Sequence, residues 1–403
     1  MKVILFANTE WYLYNFRRSL AAALRDAGHE VLLVSPPGPY GERLRALGYR
    51  WLPAPMERRS LNPLREVALV WWLRQLLRRE HVDLVHGFTI KSAVYGALAA
   101  RLAGVPARVG AVAGMGYVFI SDAPKARALR PLVRGLLRLA LGGRGARLIL
   151  QNPDDVALFR HERLARPEAI RLIRGSGVDC ARFVPGPTSA VPGHGSDWEA
   201  APASDLGLAR FRVLLPARLL WDKGLAEYVG ASRLLRAQGR AVDFLLAGDP
   251  DPGNPASVPE ATVRGWAESG LVQWLGHVED MPALFRSVDA VVLPSYREGL
   301  PKGLIEAAAC GLPLIATDVP GCREVVTDGV EGLLVPVRDA PVLAAAIARL
   351  QNAPELCATL GRNARAKALA EYDERIVIRR TLAVYRELAP DHVTEHTITG
   401  ASD

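Results

Sequence analysis

The feature that most limits the fold is an alternation that runs through the chain twice. Short apolar runs of strand length alternate with longer segments of helical period. In the first half Val3–Ala7, Val31–Ser35, Leu84–His86, Arg108–Val112 and Leu148–Gln151 read as buried strands, with helical patterns near 15–27, 63–80, 90–103 and 125–141. The second half repeats the scheme with Arg212–Pro216, Phe244–Gly248, Val272–Leu275, Ala290–Pro294, Leu314–Thr317 and Leu333–Val335. Unbroken apolar strands belong to sheets covered on both faces, and helices between them supply the crossovers. The expected fold class is therefore α/β, with two Rossmann-like doubly wound domains. At 403 residues the chain is too long for one ordinary core and suits two.

Composition places the boundary. Residues 185–207 are dominated by Pro, Gly, Ser and Ala and carry no hydrophobic period, as in a linker or exposed loop. The charge changes sign at the same place. Residues 1–184 hold 29 basic and 14 acidic residues, a net of +15, against 21 and 28, a net of −7, in the remainder. The expected organisation is a first domain over 1–184, a linker over 185–207 and a second domain over 208–372. A helix over 373–389 is expected to pack back on the first domain, followed by a frayed tail over 390–403. Two such domains facing each other would bring the carboxyl ends of both sheets to one cleft, where open α/β sheets bind ligands.

Several classes of function are disfavoured. Cys180, Cys310, Cys322 and Cys357 form no CxxC pair and have no histidine cluster beside them, so neither a zinc site nor a disulfide framework is expected, and a reducing cytoplasm is the simplest compartment. The N-terminal apolar run is strand-sized and lacks a cleavage pattern. The most apolar stretch, Val67 to Leu77, is interrupted by Arg74 and falls short of a membrane span. No zinc finger, RNA-binding signature or helix-turn-helix accompanies the basic charge, which disfavours nucleic acid.

The best-defined motif runs from Val291 to Val326. A strand turns through Ser295, Tyr296, Arg297, Glu298, Gly299 and Leu300 and enters a helix near Pro301 that carries Glu306. Loop amides and a helix N-terminus form an anion site there, while the two carboxylates can accept hydrogen bonds from hydroxyls. This suits a ligand with a diphosphate between two hydroxyl-rich rings. Upstream, Arg218 and Lys223 lie across another strand-to-helix turn and can clamp both phosphates.

With these residues the sequence resembles the retaining, nucleotide-sugar-dependent glycosyltransferases of family 4 (group 1), of B-type two-Rossmann fold. Their signature is Glu-x7-Glu, here Glu298 and Glu306. The resemblance implies that Glu298 contacts donor-sugar hydroxyls and Glu306 the nucleoside ribose. Gly299 and Leu300 would offer amides to the sugar or diphosphate, with Pro301 and Lys302 at the helix start. No Asp-x-Asp is expected at a strand end to hold a metal, so Arg218 and Lys223 would hold the pyrophosphate and neutralise the leaving group, with neither metal nor cofactor expected. Gly248 and His277 fall where the nucleotide-pocket strands end. In the first domain, Gly116 belongs to a loop similar to the Gly-rich loop of polysaccharide-assembly members. His86, read as ending its strand, is a further catalytic candidate. Asn8, Trp11 and Tyr14 replace the relatives' glycine pair and suggest an acceptor-facing loop, as in relatives that build O-antigen or capsule repeat units.

The resemblance implies transfer of a hexose or N-acetylhexosamine from a nucleotide-sugar, UDP-linked, to a lipid-linked glycan in cell-surface polysaccharide synthesis. Arg127, Arg130, Arg134 and Arg138 share one helix face, and helix 63–80 adds Trp71, Trp72, Arg74, Arg78 and Arg79. These point to an anionic membrane surface and to peripheral attachment on the cytoplasmic face of the inner membrane. The alternatives are a nucleotide-sugar epimerase of the same fold and an inactive nucleotide-sugar-binding partner protein.

Overall fold

The computed structural model describes residues 1–57, 60, 62–112, 124–186, 210–252 and 254–390. The chain forms two compact units. One consists of Met1–Gly177 with the chain from Glu374 onward, the other of Val178–Asp373. The first unit thus ends earlier than the expected residue 184, because Val178, Cys180 and Phe183 are buried in the core of the second. The Phe183 ring lies 6.1 Å from that of Phe285. The linker expected over 185–207 lies, beyond residue 186, outside the described residues, as does the tail beyond residue 390.

The first unit is built on a parallel sheet in the order β3-β2-β1-β4-β5-β6-β7. Its strands are β1 (Lys2–Phe6), β2 (Glu30–Ser35), β3 (Arg50–Pro53), β4 (Leu84–Phe88), β5 (Ala107–Val112), β6 (Ala146–Leu150) and β7 (Ile170–Leu172). β3 and β7 are the edge strands, four and three residues long, and neither stands out in the sequence. The central strands are almost wholly buried, as apolar strands covered on both faces must be. Helices Pro63–Arg79, Ile90–Ala103 and Pro124–Ala140 contribute to two of the unit's apolar clusters. Helix Glu374–Leu388 contributes Val377, Ile378, Leu382, Val384 and Tyr385 to a third, which includes Leu5, Leu33 and Val109. Glu387 on that helix accepts from Arg147 at 2.7 Å and from Arg171 at 2.5 and 2.9 Å, which fastens the helix to β6 and β7.

Local sequence explains the helix starts. Asn152 accepts a hydrogen bond from the Asp155 amide at 2.7 Å, with Pro153 at the first helical position. Asn62 and Pro63 repeat the device. Thr9 accepts from the Tyr12 amide and starts a helix over Glu10–Phe16. The segment read as a loop from Asn8 to Asn15 is therefore mostly helical.

The second unit has the order β10-β9-β8-β11-β12-β13. Its strands are β8 (Phe211–Pro216), β9 (Val242–Ala247), β10 (Gln273–Gly276), β11 (Ala290–Leu293), β12 (Leu314–Thr317) and β13 (Gly332–Val335). Strand order reverses between β8 and β11, so the turns that follow these two strands diverge and leave a crevice at the sheet's carboxyl edge. Among the described residues no helix is long and apolar enough to cross a membrane.

Candidate functional site

The crevice of the second unit is built from two laced turns. After β8 the chain passes Arg218, buried Leu219 and Leu220, a single 3-10 turn over Trp221–Lys223 and then Gly224. Gly224 has φ +74°, and a Cβ there would stand 2.0 Å from the Pro294 carbonyl oxygen at the end of β11. Only glycine allows both that backbone and that approach. The Tyr296 amide donates to the Asp222 carbonyl at 2.9 Å and joins the turns a second time.

This lacing brings sequence-distant charges together. Lys223 and Glu298, 75 residues apart, form an ion pair between the Nζ and Oε1 atoms. Their side chains retain 20% and 10% exposure, so the pair is mostly desolvated yet open at one side. The carbonyls of Glu298 and Gly299 pack against Gly321, where a Cβ would come within 2.6 to 2.7 Å of them. Gly299 and Leu300 are half-buried, and Pro301 is buried at the N-cap of helix Lys302–Ala309. The helix thus begins one residue after Pro301, and no side chain caps it. A helix start without a side-chain cap, at the positive end of the helix dipole, favours an anion. Glu306 lies on the helix with Lys302 Nζ 3.7 Å from its carboxylate. Burial pushes the Glu306 carboxyl up, and Lys302 and Arg182 oppose the shift.

Arg218 is half-exposed and bonds Asp251 at 2.7 Å. Contrary to the sequence expectation, an Asp-x-Asp does stand at a strand end: Asp249-Pro250-Asp251 follows β9, and its Asp251 is the partner of Arg218. The Asp251 carboxylate meets a guanidinium and the Asn254 amide. Tyr296, in the same turn as Glu298, has a contact that the sequence gives no sign of. Its hydroxyl donates to both carboxylate oxygens of Glu227 at 3.0 Å, and the Arg338 guanidinium stacks 4.7 Å from its ring. Gly248 lies against the Ala217 carbonyl, and His277 is exposed just past β10. The second-unit candidates therefore all fall on the carboxyl edge of one sheet.

The first-unit candidates divide differently. His86 does not end its strand, because β4 continues to Phe88, and the residue is buried at 1% exposure. Its Nδ1 sits 2.6 Å from the Tyr385 hydroxyl, while Nε2 is buried and has no partner among the described residues. Burial first, and the Arg17 cation second, hold its pKa well below the usual histidine value, so the ring is neutral at pH 7. Asn8 is half-buried just ahead of the Thr9 cap. Trp11 is 38% exposed, with its ring edge-on to Phe16. Tyr14 packs on Tyr40 beneath the Arg18 cation. Gly116 lies outside the described residues.

Known proteins resemble the chain along most of its length. Two family models match in tandem, "Glycosyl transferase 4-like domain" over residues 15–176 and "Glycosyl transferases group 1" over 210–353. The N,N'-diacetylbacillosaminyl-diphospho-undecaprenol alpha-1,3-N-acetylgalactosaminyltransferase of Campylobacter jejuni is 29% identical over 375 residues, 93% of this chain and 95% of that protein. The UDP-Gal:alpha-D-GlcNAc-diphosphoundecaprenol alpha-1,3-galactosyltransferase of Escherichia coli is 27% identical and covers 73% of each chain. The crystal structure of HepE from Anabaena in complex with UDP shares the fold, with a TM-score of 0.73 at 22% identity over 96% of this chain and 100% of that one.

Proposed function

Since the chain belongs to the group 1 glycosyl transferases, it is a glycosyltransferase, and we propose that it moves a sugar from a UDP-sugar to a lipid-diphosphate-linked glycan, with retention and without a metal ion. The observation that carries this reading is the half-open Lys223–Glu298 pair beside the uncapped helix that bears Glu306. In the resting protein the two charges neutralise each other. A bound donor offers each a better partner, with phosphate for Lys223 and sugar hydroxyls for Glu298. Glu306 accepts from the ribose, and Arg218 exchanges Asp251 for the second phosphate.

Chemistry follows from where charge develops. The bond between the anomeric carbon and the phosphate oxygen breaks, and its electron pair stays on that oxygen. The acceptor hydroxyl attacks the same face, and its proton passes to the departing phosphate. No protein nucleophile is required. The leaving group's growing charge is met by Lys223, Arg218 and helix-terminal amides, which makes electrostatic stabilisation the leading catalytic effect. The lipid-linked acceptor is supported by the names of the two relatives, both of which act on undecaprenol-diphosphate-linked glycans. On this reading the enzyme works at a membrane surface, on its cytoplasmic side.

The test is nucleotide release from UDP-, GDP- and ADP-sugars, with and without membrane extract. UDP release that requires extract is the expected result. Conversion of the nucleotide-sugar with no acceptor present would identify the epimerase instead.

A further inference from the structure

Helix Pro63–Arg79 is apolar on two opposite sides. Leu69, Leu73, Leu76 and Leu77 face the core, as a crossover helix requires. Leu64, Val67 and Trp71, spaced i, i+3, i+7, face away from it at 79%, 68% and 54% exposure. With Leu102 at 55%, they make up four of the five most exposed large apolar side chains among the described residues. The four belong to one surface. The Arg74 guanidinium stacks 4.5 Å from the Trp71 ring, and its Nε donates to the Leu102 carbonyl at 3.2 Å. Arg78 reaches the same carbonyl at 3.5 Å. Carbonyl partners hold both arginines in place without cancelling their charge, and among the described residues neither meets a carboxylate.

The basic face of helix Pro124–Ala140, which the sequence favoured for membrane contact, is partly spent. Arg134 pairs with the Glu162 carboxylate, which cancels its charge; among the described residues Arg138, like Arg74 and Arg78, bonds only carbonyls, those of Glu162 and Arg163. Resting on the reading that the acceptor is lipid-borne, we propose that the first unit docks on an anionic leaflet through Leu64, Val67, Trp71 and Leu102, with Arg74 and Arg78 at the headgroups. An indole beside uncompensated guanidiniums over an aliphatic ridge matches the chemistry of the membrane interface, with the apolar tips below the headgroups and the cations among them. The charge complements an anionic surface, since residues 1–184 carry a net +15.

The experiment is vesicle flotation of the full chain. Phosphatidylcholine vesicles are compared with vesicles that also contain phosphatidylglycerol. Wild type is expected to bind the anionic vesicles selectively and to release in salt. Val67→Glu with Trp71→Glu should lower partitioning about tenfold or more, from lost apolar insertion and added repulsion. Arg74→Gln and Arg78→Gln should each lower it about fivefold. All four positions lie outside the donor site, so Tm and transfer to a short-chain, water-soluble acceptor should be unchanged. Binding by the glutamate variant equal to wild type, no preference for anionic vesicles, or a lipid-free dimer that this variant dissociates would each overturn the proposal. Failure of wild type to glycosylate any lipid diphosphate would defeat the functional reading and leave the vesicle result to be judged by itself.

Discussion

The two units share one plan, a doubly wound parallel sheet, and spend their polar residues in opposite ways. In the first, His86 and Arg17 are buried near the end of β4. The histidine is neutral against Tyr385, and the guanidinium is stacked 4.3 Å from the Phe88 ring. In the second, Lys223, Glu298 and Glu306 stand past the ends of β8 and β11, mostly desolvated but not sealed from solvent. Topology alone thus does not make a site. A strand-end turn can serve a ligand where opposite charges are held together and keep some exposure, whereas a polar group sealed into the core, as His86 is, has no such access.

The largest expected effects break the open cluster. Lys223→Ala and Glu298→Ala should each lower kcat about 10²- to 10³-fold, as loss of a group that acts on the transition state does. Circular dichroism should show the fold retained, and near-normal turnover in both would reject the assignment. Glu306→Gln should weaken UDP binding about tenfold through poorer acceptance of ribose hydroxyls. The same change should raise stability near neutral pH. A carboxyl raised by burial contributes stability in its protonated form, present below its unfolded pKa and lost as pH rises through the folded one, and glutamine removes that loss. The Tm gap over wild type should shrink toward acid pH.

The sealed cluster sharpens the contrast from the other side. Because the His86 pKa is depressed, its neutral burial stabilises the fold above the ordinary value near 6.5, and that stability is lost as pH falls below it. His86→Asn should flatten this acid limb of the Tm profile and lower Tm, with kcat little changed. A collapse of kcat with Tm intact would return His86 to the catalytic site. Tyr296→Phe, which frees Glu227 and loosens the lacing of the turns, should cost about 1 kcal/mol of transition-state stabilisation, read in kcat more than in KM. The smallest effect is expected from Glu387→Ala. Burial opposes the ionised form there, but Arg171 and Arg147 together hold the carboxyl below its usual range. The loss should be about 1 kcal/mol or less at neutral pH after solvent screening, vanish as acid protonates the carboxyl, and leave kcat/KM unchanged.

What the sequence revealed follows from the same physics. Buried central strands are legible because they are continuously apolar, whereas β3 and β7 are short edges and pass as loop. Glu298, Glu306, Lys223 and Arg218 are legible because chemistry in this topology concentrates in the turns after strands. Asp251, Glu227 and Tyr296 are not, since Asp251 meets Arg218 across 33 positions and Glu227 meets Tyr296 across 69. His86 does not end its strand, because β4 runs two residues beyond its apolar core to Phe88. The arginines of helix Pro124–Ala140 looked alike in sequence, and only the fold shows that two of them are tied to the turn at Glu162 and Arg163.

The proposed site has Lys223 read the diphosphate and Glu298 the sugar. Calorimetric titration of UDP and of the UDP-sugar that supports turnover, on wild type, Lys223→Ala and Glu298→Ala, tests it most directly. Lys223→Ala should weaken both ligands, while Glu298→Ala should weaken the UDP-sugar and bind UDP at least as tightly as wild type, because its lysine is released. Equal weakening of both ligands by Glu298→Ala, or unchanged binding in Lys223→Ala, would contradict the account.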